Sequence, residues 1–195
     1  GEGDYYAKNG SYLGTDKKND NLIYIQYSSG KTKFEINGKY QNFQKLDVTR
    51  NTFLAFASAI NNESSGNKQE SMALANVVMN FINDGGSKTL KTLDDVVLYR
   101  NSFMRGSNQK AVNEFQGLPI NSRNRTLAIA AVINALGYNQ GLTGFSDYSG
   151  GANTWDGKDL MYTNWPNSHR NYIWSSDSKQ LLKQYKSLVH GSVNV

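Results

Sequence analysis

The segment from Asn67 to Ile82, NKQESMALANVVMNFI, constrains the fold more than any other part of the chain. Apolar residues lie on nearly every side of a helix drawn through it, so such a helix has to be enclosed by other structure. Asn67 with Glu70 three residues later has the spacing of a capping box, which predicts the start of the helix. Asp84 and the two glycines after it predict its end near Ile82. A central, buried helix is therefore expected.

A second helix is predicted just before this segment, where apolar side chains recur on one helical face. The helix is expected to begin at Asp47 or Thr49 and to end at the polar break 64–67. The residues that form its apolar stripe are Phe53, Phe56, Ala57 and Ile60.

Further helices are predicted toward the C-terminus. The longest covers 123–136, with Ser122 as its N-cap and Gly137 just past its end. Shorter helical patterns cover 93–99 and 110–115, and an amphipathic pattern covers 177–190.

Residues 1–47 have a different character and predict β structure. Leu22–Tyr27 and Thr32–Ile36 have strand patterns, and the turn residues 28–31 predict a hairpin between them. Asn37 and Gly38 form a second turn signal. The predicted fold is mainly α, within the α+β class: a small N-terminal β hairpin appended at 1–47 and a helical domain at 48–195.

Composition excludes several classes of chemistry. The chain has 195 residues and no cysteine, which excludes disulfides, thiol catalysis and cysteine-bound metals. Its two histidines are isolated in sequence, so neither a metal nor another cofactor is predicted. No apolar run is long enough to span a membrane. A net charge of +5 favours anionic partners such as cell-wall polymers, nucleic acid or a membrane surface.

Glu63 is the first candidate for catalysis, because it continues the apolar stripe of the predicted first helix. We expect it to be partly buried at a helix C-terminus, where burial and the helix dipole both raise the pKa of a carboxyl group. A carboxylic acid that keeps its proton can protonate the leaving oxygen of a glycosidic bond. The alternative is an ordinary helix-end residue with apolar neighbours.

The segment GFSDYSGGANTWDGKD at 144–159 is the second candidate region. Aromatic faces beside short polar groups suit a sugar ring, which has apolar C–H faces and hydroxyl edges. The alternative is a structural loop packed by its own aromatic residues. Asp147 is a candidate second catalytic carboxylate, and the candidate substrate-binding residues here are Ser146, Tyr148, Trp155 and Asp156.

The stretch ESSGNKQESMALANVVMNFI resembles the motif of bacterial cell-wall hydrolases of the spore-cortex-lytic type. In that motif a glutamate, a small-residue break and a second glutamate precede an apolar helix. The matching positions are Glu63, Gly66, Glu70, Ala73, Ala75, Val77, Val78 and Asn80. Glu63 with Ser64 also resembles the Glu-Ser pair of soluble lytic transglycosylases in the lysozyme superfamily. Phe81 replaces the arginine usual in the first family, and the GLMQ motif of the second is absent.

This resemblance implies a lysozyme-like fold that cleaves peptidoglycan glycan strands, with Glu63 as general acid and base and with Ser64, Ser65 and Glu70 contacting substrate. A hydrolase of this kind needs a second carboxylate, for which Asp147 and Asp156 are the candidates by location. A lytic transglycosylase needs none, because a substrate hydroxyl attacks. The sequence leaves both mechanisms open.

The substrate implies secretion or delivery to the periplasm or cell wall, with a targeting signal outside this chain. The segment also suits the toxin domain of a secreted antibacterial effector or a phage lysin, for which an immunity or inhibitor protein is an expected partner. Two alternatives stay open: a non-catalytic glycan-binding module on the same scaffold, and a basic nuclease toxin, whose metal motif the sequence lacks. A nucleic-acid partner is not predicted.

Overall fold

The computed structural model describes residues 3–64, 66–98, 109–156 and 172–174. The strands are β1 (Asp4–Tyr6), β2 (Tyr12–Thr15), β3 (Leu22–Gln26), β4 (Thr32–Ile36), β5 (Lys39–Thr49), β6 (Thr154–Asp156) and β7 (Tyr172–Trp174). The helices are α1 (Arg50–Glu63), α2 (Lys68–Asn83), α3 (Leu93–Leu98), α4 (Gln109–Gln116) and α5 (Arg123–Asn139).

The first five strands form one curled, mixed sheet in the order β2-β1-β3-β5-β4. β1 and β3 are parallel, and the other neighbouring pairs are antiparallel. Strands β6 and β7 form a separate antiparallel pair.

Both faces of the sheet are buried near its centre, because side chains alternate along a strand. Tyr6, Ile23 and Ile25 point to the helices and belong to the main hydrophobic cluster. On the opposite face, inside the curl, the Tyr5 ring stacks on Tyr24 with 4.7 Å between ring centroids. The sheet therefore contributes to two hydrophobic clusters, one on each of its faces.

The predicted fold class is wrong: this is an α+β fold with a major sheet, not a helical lysozyme-like domain with a small hairpin. β1, β2 and β5 were missed, since β1 and β2 are short and β5 is polar and contains a register shift opposite Leu22 and Ile23. The hairpin was also misplaced. β3 and β4 each pair with β5, and the tight turn is at Asn37 and Gly38, both at positive φ.

The helices pack on the face of the sheet that carries Tyr6, Ile23 and Ile25, opposite the aromatic cluster inside the curl. The main cluster combines sheet residues with residues of every helix, and β5 crosses the predicted boundary at 47–48. The expectation of a central buried helix is confirmed: every residue of α2 from Glu70 to Met79 is buried. The apolar stripe of α1 is also fully buried.

Helices α2 and α5 are parallel neighbours. Met72 and Ala130 line one cavity near the helix starts, whereas Asn83 donates to Asn139 at 2.7 Å near the helix ends. The N-termini of these two long helices therefore lie at the same end of the pair.

Gly137 has a different role from the one its sequence position predicts. It lies inside α5, which continues to Asn139. A Cβ at this position would lie 2.5 Å from the Phe145 ring, so glycine is required for the close approach of that ring. The helix is terminated by Gly141, whose φ is +74° and which lies two residues past Asn139, and Leu142 N–H donates to the Gly137 carbonyl as in a Schellman motif.

None of the helices in the described ranges is long and apolar enough to cross a bilayer. The helix predicted at 177–190 lies outside the described residues.

Candidate functional site

Glu63 is the last residue of α1 and is half-buried. The buried face of the helix runs from Thr52 to Ile60, and the Ser64 N–H closes the final turn by donating to the Ile60 carbonyl at 2.9 Å. Glu63 therefore lies where a buried helix meets the surface, at the C-terminal end of the helix dipole. This is the placement that the sequence predicts.

The turn after Glu63 is held by specific hydrogen bonds. The hydroxyls of Ser64 and Ser71 are 2.6 Å apart, and Gly66 N–H donates to Ser64 Oγ at 3.2 Å. Gly66 has φ +86°, a conformation that a glycine adopts without strain. Asn67 Oδ1 accepts from Glu70 N–H at 3.1 Å, which confirms the predicted cap. Ser64 thus ties the end of α1 to the start of α2.

The resemblance also predicts that Ser65 and Glu70 contact substrate. Ser65 lies outside the described residues. Glu70 is completely buried, with 0% of its surface exposed. A side chain without solvent access cannot contact a polymeric substrate, so in this structure Glu70 belongs to the protein interior.

Asp147 organises the loop at 144–153. Its carboxylate accepts from Ser149 N–H at 2.8 Å, from the Ser149 hydroxyl and from Gly151 N–H at 3.1 Å. Asn80 Nδ2 of α2 lies 3.2 Å from Asp147 Oδ2 and also contacts Ser149 Oγ and the Ala152 carbonyl. The hydrogen bonds of the Asp147 carboxylate therefore hold its own loop together and join that loop to α2.

Two buried asparagines hold the start of the same loop, and sequence reasoning missed their role. Asn134 of α5 exchanges hydrogen bonds with the Ser146 backbone, donating at 2.8 Å and accepting at 3.2 Å. Asn76 of α2 accepts from Tyr148 N–H at 3.0 Å. Amides inside otherwise apolar helices were the available signal, because a buried amide needs partners.

The remaining predicted residues of this region are only partly described. Tyr148 is 45% exposed, and Ser146 is also exposed. Trp155 and Asp156 lie on β6, where the structure describes the backbone pairing with β7.

The contacts that anchor the regions of Glu63 and Asp147 lie toward opposite ends of α2. Glu63 adjoins Ser64, which contacts Ser71 near the start of α2, whereas Asp147 contacts Asn80 near its end. The nine residues from Ser71 to Asn80 correspond to about 14 Å along a helix at ~1.5 Å per residue. Paired glycosidase carboxylates are roughly 5–9.5 Å apart. This spacing disfavours Asp147 as a partner carboxylate for Glu63, whereas the side chain of the other candidate, Asp156, lies outside the described part of the structure.

No group of three or more His, Cys, Asp or Glu residues in the described ranges is arranged to hold a metal ion. Comparisons of the chain with protein-family models, with curated proteins and with solved structures give no match.

Proposed function

We propose that this protein cleaves the glycan strands of peptidoglycan as a lytic transglycosylase, with Glu63 as the single catalytic carboxylate. The observation that carries the proposal is a half-buried glutamate at the end of a buried helix, next to the Ser64–Ser71 contact, with Asp147 held near the other end of α2.

In the proposed reaction Glu63 first acts as an acid. It donates its proton to the glycosidic oxygen as the bond from that oxygen to C1 of N-acetylmuramic acid breaks. The C6 hydroxyl of the same sugar then forms a bond to C1, and the Glu63 carboxylate takes the hydroxyl proton. The product carries a 1,6-anhydro end, and Glu63 is restored to its starting state.

The exposed Tyr148 ring is the proposed apolar surface for a sugar of the strand. Its loop is preorganised by Asn76, Asn80 and Asn134, which lowers the entropy lost on binding. Because this substrate lies outside the cytoplasmic membrane, the proposal implies secretion or delivery to the periplasm or wall. For a toxin domain, an inhibitor protein that covers Glu63 is expected.

The proposal is tested by digesting purified peptidoglycan and determining the product masses. We expect anhydro-ended muropeptides from the wild type and at least a ~100-fold lower rate from Glu63→Gln, because general acid catalysis typically contributes ~100-fold or more. Glu35→Gln, the same change at an exposed site on β4, is the matched control and should keep the wild-type rate.

Other results of the digestion would contradict or change the proposal. Full activity of Glu63→Gln with an intact fold excludes the assignment. Reducing ends in place of anhydro ends indicate hydrolysis and require a second carboxylate. Binding without any product favours the non-catalytic glycan-binding module.

A further inference from the structure

A cavity of about 190 Å³ lies between the starts of α2 and α5 and the residues that follow β1. Since one water occupies ~30 Å³ in the liquid, the volume accommodates a carboxylate group with several waters. The residues that line it include Lys8, Asn9, Lys68, Met72, Arg123 and Ala130.

The polar groups that line this cavity are mainly hydrogen-bond donors, and among the described residues no aspartate or glutamate lines it. Asn9 Oδ1 accepts from Ser11 N–H at 3.0 Å, which leaves the amide Nδ2 as its donor. The Thr126 hydroxyl instead bonds to the helix backbone, donating to the Ser122 carbonyl at 3.0 Å. Such a lining is complementary to an anion.

Lys68 and Arg123 are the main positive charges among the lining residues. Neither forms a salt bridge within the part of the chain that the structure describes, and both are exposed. Lys8 contributes mainly its aliphatic stem, because its ammonium group lies 4.8 Å from the ring centroid of Tyr27 and 5.0 Å from that of Phe145. The N-terminal ends of α2 and α5 add partial positive charge near the same cavity.

The cavity is close to the candidate catalytic residue. Lys68 lies one helical turn before Ser71, with a Cβ separation of ~5–6 Å. Ser71 contacts Ser64, the residue next to Glu63. We propose, on the basis of the proposed function, that this cavity binds a carboxylate of the peptide stem that peptidoglycan carries on its muramic acid.

The test measures binding by calorimetry in the Glu63→Gln background, where substrate is not consumed. The ligands are a disaccharide with its peptide stem and the same disaccharide without the stem. We expect the stem to increase affinity on the order of tenfold, through charge-assisted hydrogen bonds that weaken with added salt. In Lys68→Gln/Arg123→Gln this increase should be lost.

Lys33→Gln/Lys39→Gln is the matched control, since it removes two exposed charges from β4 and β5 instead. It should retain the stem-dependent affinity. Equal affinity with and without the stem, no binding of either ligand, or an unaffected Lys68/Arg123 variant would overturn the inference. If the stem increases affinity but the wild-type protein releases no products from peptidoglycan, the inference about the cavity stands and the proposed catalysis is rejected.

Discussion

At the scale of single residues, a few positions within the helices determine where the loop at 144–153 lies. Asn76, Asn80 and Asn134 are enclosed in or border the α2–α5 pair, and each is bonded to the loop at 144–153. Gly137 acts by lacking a side chain, which lets the Phe145 ring reach the helix backbone. The position of this loop therefore depends on residues that are remote from it in sequence.

Gly137→Ala is expected to destabilise the protein despite the better helix propensity of alanine. Propensity favours the change by about 1 kcal/mol, whereas overpacking against Phe145 typically costs about 1–3 kcal/mol. Urea unfolding measures the net effect on the free energy of unfolding. In a Phe145→Ala background the clash is absent, so the same change should stabilise; destabilisation there as well would contradict the assigned contact.

At the scale of elements, the connection between α1 and α2 is the feature that fixes the candidate catalytic residue. It is short, contains one left-handed glycine and begins the second helix with an asparagine cap. The cap satisfies a backbone N–H that the helix itself cannot pair. Because the cap and the Ser64–Ser71 contact share this connection, the stability of the start of α2 and the position of Glu63 are coupled.

Asn67→Ala is expected to lower the free energy of unfolding by about 1 kcal/mol, the usual cost of removing such a cap. Asn67→Asp keeps a side-chain oxygen at this position and should lose much less. Parallel urea titrations of the two variants test this. Equal losses would mean that the Glu70 N–H bond contributes little.

At the scale of the whole molecule, the curl of the sheet creates a second, aromatic interior. Tyr5 stacks on Tyr24 and Phe34, and the hydroxyls of the two tyrosines reach carboxylates: Tyr5 donates to Asp16 at 2.7 Å and Tyr24 to Asp20 at 3.0 Å. Burial and these hydrogen bonds raise the pKa of Tyr5 and raise the pKa of Tyr24 to about 12. The environment inside the curl therefore favours the neutral, protonated form of both tyrosines.

This arrangement predicts a loss of stability at high pH. A tyrosine whose pKa is about 10 unfolded and about 12 folded binds its proton more tightly in the native state. Its contribution is complete below pH ~10 and declines as the pH rises toward 12. Unfolding free energies at pH 9 and 11 should differ less for Tyr24→Phe than for the wild type. An equal difference would contradict the pKa assigned to Tyr24.

The sequence by itself determined the local features of this protein: the buried stripe of α1, the enclosed helix α2, the Asn67 cap and the half-buried end at Glu63. Helical periodicity and caps depend on residues within a few positions of one another, so the sequence displays them directly. Only the tertiary structure decided that β1, β2 and β5 build a major sheet, that Glu70 is interior and that Asp147 lies at the far end of α2. These outcomes depend on pairing between distant segments, and no local pattern encodes which strand or loop a given side chain will meet.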